Sequence, residues 1–131
     1  MKQIYLFKRA GSKLFDEAVA YCDSFGMRLP VTMDKFVIPQ LVELNHGTVW
    51  LGITNETSKG TWTNIYTGEK VERTFWADGH PNNGGNHAVL ISDGDLQTIL
   101  KWNETTKDIP HNTICIHGKH AAFLTVNEQI F

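Results

Sequence analysis

Val49-Trp50-Leu51-Gly52-Ile53 divides the chain into two textures. The stretch is short, apolar and rich in β-branched and aromatic residues, which suits a buried strand. Upstream of it the apolar residues recur at helical spacing. Phe15, Ala18, Val19, Cys22 and Phe25 line one face of a helix over Leu14 to Phe25, with Ser12 ahead as an N-terminal cap and Gly26 as its stop. Phe36 to Leu44 predicts a second, shorter helix starting near Ile38, because Pro39 is tolerated only in a first turn. Downstream, Gly60-Thr61-Trp62-Thr63, Ala88-Val89-Leu90-Ile91 and Thr113-Ile114-Cys115-Ile116 read as further strands separated by Gly, Asn, Asp and Pro. Helices followed by short strands indicate an α+β class rather than an alternating parallel fold.

Composition bounds the rest. The 131 residues suit one domain, with 41% hydrophobic and 20% charged residues and a formal net charge of −2, which gives no electrostatic case for binding nucleic acid. No apolar run is long enough to span a membrane. Met1 to Arg9 returns to basic residues too soon for a signal peptide, so the expectation is either a cytosolic protein or one whose leader is not in this sequence. Cys22 and Cys115 are the two cysteines, 93 residues apart. On spacing alone they are a disulfide or two separately buried thiols.

Trp76-Ala77-Asp78-Gly79-His80-Pro81-Asn82-Asn83-Gly84-Gly85-Asn86 is built almost wholly of turn-forming residues. Taken in order, Tyr21-Cys22, Trp50-Leu51-Gly52-Ile53, Gly60-Thr61-Trp62, Phe75-Trp76, His80-Pro81-Asn82-Asn83, Trp102-Asn103-Glu104 and Ile114-Cys115-Ile116 resemble the motifs of a C-type lectin-like domain. The resemblance runs from about residue 5 to residue 116 and implies a single domain over 1–131, with residues 116–131 as a C-terminal extension. It further implies two helices flanking small antiparallel sheets, a long irregular binding loop, a Cys22–Cys115 disulfide and a secreted or extracellular setting, where disulfides persist.

The same resemblance implies a function. Calcium in such a loop coordinates vicinal sugar hydroxyls while the flanking side chains exchange hydrogen bonds with them. The residues matched to that task are His80, Asn82, Asn83, Asn86, Asn103 and Glu104 for carbohydrate, with Asn82, Asn103 and Glu104 as the metal ligands. Pro81 suits the site if its peptide bond is cis, turning residues 80 and 82 toward one point. Asn82 after Pro81 matches the mannose-binding subset. Yet the usual Glu-Pro-Asn reads His80-Pro81-Asn82, an acidic ligand falls on Asn86, and Trp-Asn-Asp reads Trp102-Asn103-Glu104, so one carboxylate remains. Since calcium affinity follows ligand charge, a roughly millimolar site or none is expected. The family's second disulfide is also missing, with Ala88 in place of a cysteine.

Two readings follow. The first is a carbohydrate-binding domain of mannose-type preference, weakly dependent on Ca²⁺, with a glycan or glycoprotein ligand. The second is a calcium-independent module that binds a protein or other ligand through the same surface. Neither is enzymatic: the chain carries no nucleophile elbow, phosphate-cradling glycine loop or paired carboxylates. His80 with His87 and His117 with His120 suggest zinc, but no Cys or carboxylate cluster completes a tetrahedral set. Asn103-Glu104-Thr105 and Asn55-Glu56-Thr57 are N-glycan acceptor patterns, and a glycan on Asn103 would exclude its use as a ligand. Beyond Cys115, Ala122, Leu124 and Val126 alternate with Phe123, Thr125 and Asn127 as in a strand. That strand is expected to pair with the edge at Gln3 to Phe7 or with a second copy in a homodimer.

Overall fold

The computed structural model describes residues 7–31, 47–57, 60–91 and 101–117. In chain order the elements are β1 (Phe7–Lys13), α1 (Phe15–Asp23), β2 (Met27–Arg28), β3 (Thr48–Thr54), β4 (Thr63–Asn64), β5 (His87–Ile91), β6 (Trp102–Thr105) and β7 (His111–His117). The class is α+β, as expected. The second helix expected near Ile38 and the strand expected over Ala122 to Val126 lie outside the described residues.

The strands form one sheet in the order β1-β7-β3-β5-β6, with β2 beside β7 and β4 beside β3. It is a mixed sheet, not the antiparallel arrangement expected. β7 lies antiparallel to β1 but parallel to β3, touching it at Val49↔Asn112. The reason is topological: β7 enters between two strands that run in opposite directions, so it must be parallel to one of them.

Strand alternation gives this sheet two buried faces. Val49, Leu51 and Ile53 of β3, Ala88 and Leu90 of β5, Trp102, and Ile114 and Ile116 of β7 pack on one side with Trp62. Trp50, Val89 and Cys115 point the other way and meet Phe15, Ala18, Cys22 and Leu29. The second set is the seat of α1. Phe15 meets Trp50 edge-on with ring centroids 5.2 Å apart, and the Cys22–Cys115 disulfide fastens the helix to β7. The bond left open by spacing is therefore formed, as the resemblance implied.

Two local expectations differ. Ser12 does not cap α1, because β1 continues through it to pair Ser12 with Asn112. Leu14 takes the capping position, and its N–H donates to Glu17 Oε1 at 3.0 Å. The helix ends at Asp23, with Gly26 in the left-handed region at φ 69° just beyond. The strand expected over Gly60–Thr63 contracts to Thr63–Asn64, although Trp62 is buried in the core. Gly52 explains how the chain can fold over β3. A Cβ there would press on Tyr66 and Val31, each at 3.0 Å, so its absence lets Tyr66 approach and accept the Leu29 N–H at 2.8 Å.

Candidate functional site

The long loop between Phe75 and Asn86 is suspended from the edge strand β6. Trp102 N–H donates to Phe75 O at 2.8 Å, and Ala77 N–H to Trp102 O at 2.9 Å. An aromatic wedge backs this join: Trp76 stands edge-on to Trp102 with centroids 5.4 Å apart and lies 4.9 Å from Trp62. At the far end, Asn86 O accepts from Asn55 N–H at 3.2 Å and from Thr54 Oγ1 at 2.8 Å, which ties the loop to the end of β3.

Between these anchors the loop closes on one carboxylate. His80–Pro81 is cis, the condition under which Pro81 suits the site on the sequence reading. His80 Nδ1 lies 2.5 Å from Glu104 Oε1, and the backbone N–H groups of Asn82 and of Gly84 (3.3 Å) both donate to Glu104 Oε2. The Glu104 side chain is 1% exposed and that of His80 is 28% exposed. Burial pushes the Glu104 carboxyl up, but the hydrogen bonds from Asn82, His80, its own N–H and Gly84 outweigh it and hold the group below its ordinary value. Gly85 sits so close to the Thr105 carbonyl that a Cβ there would overlap it.

The expected site residues fall into two groups. His80, Asn82 and Glu104 converge, although Asn82 reaches Glu104 through its backbone. Asn82, Asn83 and Asn86 are exposed along the loop. Asn103 lies on β6 opposite Val89, with its Oδ1 buried and without a hydrogen-bond partner among the described residues. What sequence reasoning did not find is the pairing of His80 with Glu104, 24 positions apart, and the service of Glu104 as acceptor for the loop's amides. The only available signal was that both departed from the family pattern.

The histidines do not gather into a metal site among the described residues, where no three His, Cys, Asp or Glu side chains could hold an ion together. His87 is 2% exposed, its ring tilted against that of Phe15 with centroids 4.2 Å apart and its Nε2 3.7 Å from Glu56 Oε1. Burial lowers its pKa, against a smaller upward pull from Glu56. His111 lies 2.6 Å from Thr48 Oγ1 through Nδ1 and 3.0 Å from Thr105 Oγ1 through Nε2, and burial lowers its pKa as well. It thereby links β3, β6 and β7 below the loop. Of the glycan acceptor patterns, Asn55 opens the turn after β3, whereas Asn103 lies within β6 and Thr105 is buried.

A family model described as the lectin C-type domain matches residues 11–117. The carbohydrate-recognition domain of mouse scavenger receptor C-type lectin is similar in structure, with a TM-score of 0.74 at 21% identity over 91% of this chain and 92% of that one. The cow CD23 carbohydrate-recognition domain, solved in the presence of a GlcNAc2Man3 oligosaccharide, has a TM-score of 0.68 at 21% identity, covering 86% and 84%. A calcium-independent type II antifreeze protein has a TM-score of 0.74 at 20% identity, covering 92% and 89%. Because that family model spans most of the chain, this chain belongs to the C-type lectin family.

Proposed function

We propose that this domain is a non-enzymatic recognition module that binds its ligand through the long-loop face, residues 76–87 and 102–106, without calcium. The observation that carries this reading is the occupation of Glu104. Oε2 accepts from two backbone N–H groups and Oε1 from the His80 ring, in a side chain 1% exposed. A carboxylate oxygen accepts about two hydrogen bonds, so one oxygen is filled and the other is covered by the imidazole. Calcium takes 6–8 oxygen ligands and draws its affinity from carboxylates. Here the one carboxylate among the matched positions keeps a single acceptor place, on Oε1 beneath the His80 ring, and the remaining donors are uncharged amides. This set does not fit calcium.

The exposed amides of Asn82, Asn83 and Asn86 each donate and accept, so they can bond a polar ligand directly. The disulfide supports an extracellular or secreted setting. No described helix is long and apolar enough to cross a membrane.

The second reading, calcium-dependent binding of a mannose-type glycan, is favoured by one further observation. Asn103 Oδ1 is a buried acceptor without a partner among the described residues, a group that a bound cation could satisfy. A glycan array run with calcium and again with chelator separates the two. The calcium-independent reading expects every bound ligand to survive the chelator; binding that vanishes there refutes it and restores the second reading.

A further inference from the structure

Calcium-independence by itself does not say what holds the loop in shape. Residues 78–85 belong to no strand, and the backbone–backbone bond they make among the described residues is His80 N–H to Ala77 O at 3.0 Å. Two further backbone donors in that stretch, the Asn82 and Gly84 N–H groups, both end on Glu104. The loop is therefore folded around a buried carboxylate, and such a group is costly unless donors surround it. Among the described residues, His80 is the side chain that supplies a donor to it.

We infer that His80 is a positioning residue that does in this chain the structural work of a divalent cation, bracing Glu104 against residues 80–84 so that the binding face is assembled by the protein alone. The inference rests on the calcium-independent reading and names the group that makes it possible. A cation and an imidazole N–H meet the same requirement: each presents positive charge to a carboxylate oxygen that would otherwise be buried unpaired. A short planar ring with 28% exposure does so while covering the carboxylate from solvent. The exchange is specific in one respect. A glutamate at position 80 would set a second carboxylate against Glu104, and two such groups need a cation between them.

Amide hydrogen exchange on the full chain tests this at two reporters, the Asn82 and Gly84 N–H groups, with Trp50 and Leu90 in the strands as a check on the fold. In the natural sequence the reporters should exchange at the same rate in calcium and in chelator. His80→Ala should speed both by roughly tenfold or more while the strand amides hold, and His80→Asn, which keeps a short N–H donor near the same place, should restore most of the protection. His80→Glu should exchange fast in chelator and slow again on addition of calcium. Unchanged reporters in His80→Ala, or a His80→Glu loop indifferent to calcium, overturns the inference and leaves the calcium-independent reading standing. Calcium-dependent protection in the natural sequence overturns that reading instead. If His80→Ala loses its strand amides too, the His80→Asn and His80→Glu pair decides.

Discussion

Gly85→Ala is the substitution that bears hardest on the loop. An added Cβ would overlap the Thr105 carbonyl group and lie 2.9 Å from Thr106 N. Both neighbours are backbone at the end of β6, held by the Thr105↔His87 pairing, and cannot turn aside. Comfortable carbon contacts need about 3.5 Å or more, so the loop must retreat by about 1 Å. Overpacking of that kind costs about 1–3 kcal/mol. A 1 Å retreat at residue 85 also stretches the Gly84 N–H to Glu104 bond, already 3.3 Å long, and a lost hydrogen bond to a charged group adds about 1.5–3 kcal/mol. The expected destabilisation is about 2.5–6 kcal/mol. With an unfolding entropy of about 0.28 kcal/mol/K for a 131-residue chain, Tm should fall by about 9–21 °C. Gly84→Ala is the matched control. Its Cβ would meet Asn82 Oδ1 at 3.0 Å and Glu104 Cγ at 3.3 Å, both side-chain atoms, of which the exposed Asn82 amide can rotate away. It should cost no more than about 1 kcal/mol. Calorimetric melts of the three proteins measure the difference. A Gly85→Ala melt within about 3 °C of the natural protein, or no lower than Gly84→Ala, would refute the claim that the loop is seated on β6 by a backbone contact.

Three further outcomes are expected. Replacing both Cys22 and Cys115 by alanine opens a closure of 93 residues and should lower stability by roughly 4–5 kcal/mol in the chain-entropy account, read by denaturant unfolding; a loss under about 1 kcal/mol would contradict it. Acid should unfold the protein in two stages. The lowered pKa values of His87 and His111 mean that the unfolded chain takes up protons first, so stability falls as pH drops below about 6.5; Glu104, lowered from its ordinary value, adds a second loss below about pH 4.3. A urea midpoint that stays flat from pH 7.5 to pH 5 would show that the buried histidines carry no such penalty. Finally, titration calorimetry of His80→Glu should detect calcium binding that the natural protein lacks; no calcium heat in the variant would mean that the loops cannot be returned to a metal site.

The elements that could be read early are those whose signal is local. Alternation over Val49 to Ile53 and helical spacing over Phe15 to Cys22 each place apolar groups on a surface that only burial satisfies, and both elements formed within two residues of expectation. The failures were contests between neighbours. Ser12 has the chemistry of a helix cap, but β7 offers its backbone a partner in Asn112, and the strand prevails. Thr61 and Trp62 have strand propensity, but pairing with β3 reaches only Thr63 and Asn64, while Trp62 is held by its side chain in the core.

The candidate site divides along the same line. His80, Asn82 and Glu104 could be named from the chain because turn chemistry and a family pattern mark positions. Their roles could not, because a carboxylate is a metal ligand or a hydrogen-bond acceptor according to what faces it. The amino-acid sequence by itself determined the α+β class, the apolar faces, the placement of the long loop and the loss of all but one acidic ligand. Cysteine spacing left the Cys22–Cys115 bond open and only the family resemblance implied it; tertiary structure alone decided that β7 runs parallel to β3 and that His80 and two loop amides close on Glu104. Each of those depends on groups 20 to 93 positions apart or on strand direction, and no local period or propensity records such a distance. Only the packing of both faces of one sheet brings them together.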